Sequence, residues 1–231
     1  MTDTPEKPEL EGITLVALGR FNPAIFQPLW FSENNLIRKE EAAEANVGII
    51  HRDISAFTSE WFALQVTDDR FSLETSDPTK YKPLQDLVLG TFKVLEHTPI
   101  RAFGLNYHQH FVLDSEDEQR RFLTCFAPGD PWERVLQNPG MQSLTMQGKR
   151  SNCDADHIQV KIEPSRKVET GVFGVFIHVN EHYQVPEDDN LGQSDRMAFF
   201  LSTVQSVWDE FHSYCKELAG QLFDECKTEE Q

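Results

Sequence analysis

Apolar and polar positions recur with two different periods along this chain, and each change of period marks a new element. Residues 46–76 alternate apolar and polar side chains, which predicts a meander of three antiparallel strands with a tight hairpin at Asp68. Residues 83–97 space their apolar side chains three and four apart, which predicts a helix. Longer strand patterns cover residues 13–21, 100–113 and 171–185.

The longest helical pattern lies near the C-terminus. Its apolar residues recur at steps of four and three, and they are Met197, Leu201, Val204, Trp208, Phe211, Cys215, Leu218 and Leu222. We predict a long amphipathic helix with Ser194 as its N-cap. The stripe fits a helix docked on its own sheet, and its spacing also suits a seam with a second copy. Phe199 and Phe200 widen the apolar face, which favours a core position with some dimer contact.

The order of elements predicts the fold class. Strand, helix, three strands, helix, strand, helix, three strands and helix indicate an α+β fold, with helices packed on one side of a largely antiparallel sheet. Asn22 and Pro23 predict the start of an early short helix, which Pro28 shortens or kinks. Three strands followed by a helix occur twice, so we predict two related halves, residues 1–114 and 115–231, closely fused or forming one domain.

Composition narrows the class of partner. The 231 residues include 21 Lys and Arg against 38 Asp and Glu, a net charge of −17, which disfavours general binding to nucleic acid or anionic membranes. No apolar run is long enough for a membrane span. The four cysteines show no paired spacing and the first residues do not read as a signal peptide, so we expect a cytoplasmic protein with reduced thiols.

A strand with two histidines, residues 103–111, carries the first candidate site. Side chains alternate across a strand, so Asn106, His108 and His110 share one face while Tyr107 and Phe111 share the other. The aromatic face is expected to cover the core. The polar face is then left for solvent or a ligand.

A later strand repeats this arrangement, with His178, Asn180 and His182 on its polar face. If the two strands are neighbours, their outer surface gathers four imidazoles. We favour a surface that binds a protein partner and needs no cofactor. The alternative is a metal-binding protein or a metal-dependent enzyme that holds a transition metal such as zinc, because imidazole is a common metal ligand. Its ligands would be His108, His110, His178 and His182.

Trp132 lies in a proline-rich loop at residues 126–139. Tryptophan in such a loop either anchors a partner or plugs the end of the core. The sequence contains no nucleophile elbow, P-loop, dinucleotide fingerprint, zinc-protease motif or EF-hand, which favours a protein that is not an enzyme.

Three segments together resemble a sporadically distributed family of uncharacterised bacterial proteins: RFSLETS at 70–76, IRAFGLNYHQHF at 100–111 and FFLSTVQSVWDEFHSY at 199–214. Gly104, Asn106 and Tyr107 match the family's strand motif, although the Arg-Tyr-Ile-Asn motif expected there is altered in this chain. The resemblance implies an α+β fold with two related halves and no established activity. By analogy with accessory genes, it implies a role such as phage (antiviral) defence. The function we predict is a non-enzymatic protein-interaction or sensor subunit of such a system, with a protein partner or a second copy.

Overall fold

Nine strands form one antiparallel sheet in the computed structural model, which describes residues 7–151, 153–167, 173–186 and 192–228. The strands are β1 (Leu10–Gly19), β2 (Asn46–Ile50), β3 (Ile54–Thr58), β4 (Ala63–Thr67), β5 (Arg70–Thr75), β6 (Ile100–Leu113), β7 (Leu144–Gly148), β8 (His157–Pro164) and β9 (Phe173–Gln184). The helices are α1 (Pro28–Glu33), α2 (Lys39–Glu44), α3 (Tyr81–Val94), α4 (Glu116–Phe126), α5 (Asp130–Glu133) and α6 (Gln193–Thr228). Short 3-10 turns lie at Pro23–Ile25 and Pro78–Lys80.

The strand order is β2-β3-β4-β5-β1-β6-β9-β8-β7, and every pair is antiparallel. β1 and β6 pair at the centre, with Ile13 opposite Tyr107. On either side of this pair lies a meander whose last strand returns to the centre, β5 beside β1 and β9 beside β6. The α+β class and the largely antiparallel sheet are therefore confirmed.

One sheet crosses both of the predicted halves. β6 belongs to the range 1–114, yet it pairs with β9 of the range 115–231 from Ala102 to Leu113. The two ranges are thus joined by main-chain hydrogen bonds in the middle of the sheet. The division into halves stays a prediction.

Three local predictions were wrong, and each error has a backbone cause. Residues 46–57 form two strands, because the chain reverses direction after His51. The His51 N–H donates a hydrogen bond to the Ile54 carbonyl across this turn. The single early helix predicted from Asn22 is a short 3-10 turn followed by α1, because Pro28, which has no N–H, begins a new first turn. α6 begins at Gln193, so the predicted cap Ser194 lies inside it. Asp195 in the first turn accepts the Gly192 N–H at 2.9 Å.

Helices α3 and α6 pack on the same face of the sheet. Phe92 of α3 contacts Phe71 of β5, and Phe200 of α6 contacts Phe103 of β6, both with ring centroids 5.0 Å apart. Phe92 and Phe200 also meet edge to face at 5.0 Å, which locks the two helices together. The long C-terminal amphipathic helix is confirmed. Its buried residues follow the predicted stripe at Met197, Val204, Trp208, Phe211 and Cys215, but Phe200, Ala219 and Phe223 are buried where Leu201, Leu218 and Leu222 were predicted.

The structure bears on three further features of the sequence: the cysteines, the membrane spans and the acidic stretches. All four cysteines are free. Among the helices that the structure describes, none is both long and apolar enough to cross a bilayer. The sequence has two acidic stretches, at residues 186–190 and 224–231, and residues 187–190 and 229–231 of them lie outside the described residues.

Candidate functional site

The face of the sheet opposite α3 and α6, here called the open face, carries the predicted polar strands. Tyr107 and Phe111 of β6 and Val175, Ile177 and Val179 of β9 point away from it and are buried, as the alternation required. The open-face residues Asn106, His108, His178, Asn180 and His182 are only partly buried. The structure therefore leaves these polar side chains within reach of solvent.

β6 and β9 are neighbours, and their register brings like residues together. His108 lies directly opposite His178, and Asn106 lies directly opposite Asn180. Opposed residues in an antiparallel pair hold their Cβ atoms about 5 Å apart, so these side chains interact across the strands. The sequence could not show this register, which joins strands about 70 residues apart.

A row of amides and hydroxyls runs across five strands through Asn106 and Asn180; its other members are Thr14, Gln159 and Gln147. Asn180 donates to the carboxamide oxygen of Asn106 at 2.9 Å. Asn106 donates to the Thr14 carbonyl at 3.4 Å. Gln159 donates to Gln147 at 2.9 Å. Asn106 also donates to the Gly104 carbonyl at 3.4 Å. Such pairing fixes the orientation of the amides.

Two glycines make room for this array. A Cβ on Gly12 would lie 2.5 Å from Cε1 of His108, so the imidazole occupies the space above that glycine. A Cβ on Gly104 would lie 2.9 Å from Nδ2 of Asn180. The two glycines let one imidazole and one carboxamide lie flat on the sheet.

Burial keeps the central imidazoles neutral. It lowers the pKa of His108 to about 4, with a further contribution from Lys167 and the neighbouring histidines. Burial and then Lys161 lower the pKa of His178. A neutral imidazole has one donor and one acceptor nitrogen, so the pair offers hydrogen bonds without adding charge.

His110 does not reach the outer surface as predicted. It is only 4% exposed, and its ring lies 4.6 Å from that of Phe176. Its Nδ1 meets the Ser165 hydroxyl at 2.8 Å, because the chain beyond β8 folds back against this end of β6. The expectation that His110 is open to a partner is therefore wrong for the chain by itself.

The fourth histidine is remote from the others. His182 stacks on His157 with ring centroids 4.8 Å apart. It lies four residues from His178, which is about 13 Å along a strand and too far to share an ion with His108. No group of three or more metal-ligand side chains is arranged around one point in the part of the chain that the structure describes. A zinc site at His108, His110, His178 and His182 stays a prediction.

Trp132 lies elsewhere in the fold, on the short helix α5 between α4 and β7. It is 55% exposed, so it does not plug the end of the core. Val135 and Leu136, whose N–H groups donate to the Trp132 carbonyl, are exposed as well, and the three residues are here called the exposed cluster of Trp132. No hydrogen bond or ring contact of the described residues joins Trp132 to the histidine-bearing strands.

Sequence reasoning missed a buried ionic cluster beneath α6. Glu181 of β9 is fully buried, and it accepts hydrogen bonds from the Tyr183 hydroxyl at 2.9 Å and the Cys153 thiol at 3.1 Å. Arg150 pairs with Glu181 at 3.2 Å and with Glu210 of α6 at 3.2 Å. Burial, together with Cys153 and Glu181, raises the pKa of Tyr183. The cluster ties the segment before β8 to both β9 and α6.

A second buried carboxylate, Glu11 of β1, accepts a hydrogen bond from the hydroxyl of Tyr107 and lies 3.6 Å from the ammonium of Lys216. His212 of α6 packs edge to face on Tyr107 at 5.1 Å. Glu11 and Glu181 share one signal in the sequence: each falls in the apolar register of its strand. A carboxylate there must be buried with partners, because an unpaired buried charge is costly.

Comparison with models of known protein families and with curated proteins finds no match to this chain.

Proposed function

We propose that this protein is a non-enzymatic interaction or sensor subunit that binds a protein partner through the open face. The observation that supports this most is the array of Asn106, Asn180, His108 and His178. Its side chains are held in place by hydrogen bonds and by the space above two glycines in the unbound chain. A preorganised surface loses little side-chain entropy on binding. Its free amide and imidazole groups would supply directional hydrogen bonds.

The charge of the face favours a protein over a nucleic acid. The chain carries −17 overall, yet Glu163 is the one carboxylate at the open-face positions of β6, β8 and β9, and it pairs with Lys161 at 2.7 Å. These strands therefore present a nearly neutral patch within an acidic molecule. A partner with polar, weakly charged side chains would fit it without a large desolvation cost.

A shallow trough of about 290 Å³ at the other end of the open face adds a place for a partner side chain. Its floor consists of the small residues Gly48, Ala56 and Ala63. Ala63 lies opposite Glu74, and Glu74 lies opposite Thr14, so the trough continues the polar row. The exposed cluster of Trp132, a residue type common at interface hot spots, would supply a second contact.

The resemblance to a sporadically distributed bacterial family supports placing this subunit in an accessory system such as phage defence. The four free cysteines fit a cytoplasmic location, where thiols stay reduced.

Site-specific photo-crosslinking tests the proposal. A photoreactive amino acid at Gln159 on the open face should capture a partner in cells, while one at Gln205 on the outer side of α6 should not. With that partner purified, Asn106→Ala/Asn180→Ala should raise Kd at least about tenfold, which is about 1.4 kcal/mol. Gln205→Ala is the matched control and should leave Kd unchanged.

Two results would contradict the proposal. One is unchanged affinity in Asn106→Ala/Asn180→Ala, provided that its circular dichroism matches the wild type. The other is stoichiometric zinc in the purified protein that is lost in His108→Ala, because this would favour the metal-binding alternative. Trp132→Ala, measured separately, decides whether the second contact exists.

A further inference from the structure

Strand β2 ends the sheet and is unusually apolar for an edge. It pairs with β3 on one side only, and its sequence is Asn-Val-Gly-Ile-Ile. Val47, Ile49 and Ile50 are 46%, 44% and 37% exposed. The outer N–H and C=O groups of an edge strand are free to pair with another chain.

Proteins usually protect such an edge with a lysine, a proline or a covering element. β2 itself contains none of these residue types. The opposite edge, β7, differs: its sequence is Leu-Thr-Met-Gln-Gly, and Lys149 and Arg150 follow it directly. Neither strand contains a charged residue, but β2 exposes three large apolar side chains, Val47, Ile49 and Ile50, whereas β7 exposes one, Met146.

We propose that β2 pairs antiparallel with β2 of a second copy of this chain, which joins the two sheets. The charged residues on either side of β2 favour a second copy of this chain as the partner strand. Glu44 ends α2 just before β2, and Arg52 follows β2 in the turn to β3. An antiparallel pair centred on Gly48 places Glu44 of each copy beside Arg52 of the other. Arg52, which lies 3.3 Å from Asp53 of its own chain, then gains a second carboxylate, Glu44 of the other copy, at both ends of the pair.

Symmetry explains why this pairing stops at two copies. A two-fold axis through Gly48 uses the same strand from both molecules, so the contact is closed. The remaining edges are both β7. The shift in register at Gly48 between β2 and β3 also keeps the paired segment short.

The stripe on α6, which the sequence also offered as a dimer seam, is mostly used within the chain. Met197, Val204, Trp208, Phe211 and Cys215 are buried, while Leu201, Leu218 and Leu222 are half-buried. The β2 edge shares Gly48 with the trough, but it shares no residue with Asn106, Asn180, His108 or His178. The variants that test the binding surface therefore differ from those that test the dimer, and the failure of one proposal is distinguishable from the failure of the other.

Analytical ultracentrifugation of the full chain at about 1–100 μM tests the dimer, a range that spans Kd values typical of small interfaces. The wild type should sediment as a dimer. Ile49→Lys should raise the dimer Kd at least about tenfold, because the lysine brings an unpaired charge into the seam. Met146→Lys is the matched control: Met146 is 62% exposed on the other edge strand, and this variant should stay dimeric.

A charge exchange gives the more specific result. Glu44→Arg and Arg52→Glu should each weaken the dimer, and the double variant should restore it, because both pairs re-form with their signs exchanged. A wild type that is monomeric over the whole range would overturn the proposal. So would equal losses in Ile49→Lys and Met146→Lys, or a dimer that Ile49→Lys leaves intact. A different protein bound at β2 of a monomeric chain would overturn it in favour of a foreign strand.

Discussion

His108 on β6 lies directly opposite His178 on β9, and burial lowers the pKa of both imidazoles. The pair stands in the middle of the sheet, beside Asn106 and Asn180. It therefore links the stability of the sheet centre to protonation. The same four residues are the centre of the proposed binding surface.

The pH dependence of folding should report on His108. Its pKa is about 4 in the folded chain, against about 6.5 in an unfolded one. Between these values the unfolded chain binds a proton that the folded chain rejects, so stability should fall as the pH drops from about 6.5 towards 4. His108→Gln should reduce that loss by about 2 kcal/mol at pH 4.5, as measured by urea unfolding. His97→Gln, on an exposed side chain, should follow the wild-type curve; equal curves for all three proteins would refute the assignment.

Gly104 should resist even the smallest side chain. A Cβ there would lie 2.9 Å from Nδ2 of Asn180 and 3.3 Å from the carbonyl of Glu181. Gly104→Ala should displace the Asn180 amide and cost about 1–2 kcal/mol. Gly148→Ala, where nothing lies within 4 Å, should cost no more than about 0.5 kcal/mol. In a cycle with Asn180→Ala the two losses should be less than additive; strict additivity would mean that the amide is not what Gly104 accommodates.

Glu181 and Glu210 both pair with Arg150, but the two pairs should contribute very differently to the free energy of unfolding. Arg150→Met leaves the charge of Glu181 buried without a cation, and such a loss costs about 3–5 kcal/mol. Glu210 is 64% exposed on its side chain, so Glu210→Gln should cost no more than about 1 kcal/mol. Chemical denaturation of the two variants gives the comparison. Similar losses would show that Glu181 is not the partner that requires Arg150.

Truncating two adjacent phenylalanines on α6 should destabilise the fold to different extents, because one lies in the core and the other at its edge. Phe200 is fully buried against Phe92 and Phe103, whereas Phe199 is only partly buried. Phe200→Ala should cost about 3–5 kcal/mol and Phe199→Ala about half of that or less. Thermal unfolding at one protein concentration measures both. The reverse order would mean that α6 is rotated relative to the sheet.

The sequence could predict a large part of the fold because the signals that define single elements are local. The alternation in IRAFGLNYHQHFVL gives β6 its bounds and its two faces, and both follow from the period of a strand. The steps of four and three in α6 give its length and its buried stripe. Errors fell where a short turn interrupts a pattern, as at His51, and where a proline can either begin or bend a helix, as at Pro28.

The candidate site depended on what is not local. That His108 should meet His178 follows from pairing β6 with β9, and alternation within one strand gives no information on its neighbour or its register. The same holds for the burial of His110 by Ser165 and for the pairing of Glu181 with Arg150. The amino-acid sequence by itself determined which side chains share a face, because that is a property of backbone geometry. Which faces stay open, and which charges are buried together, was decided by the packing of segments far apart in the chain.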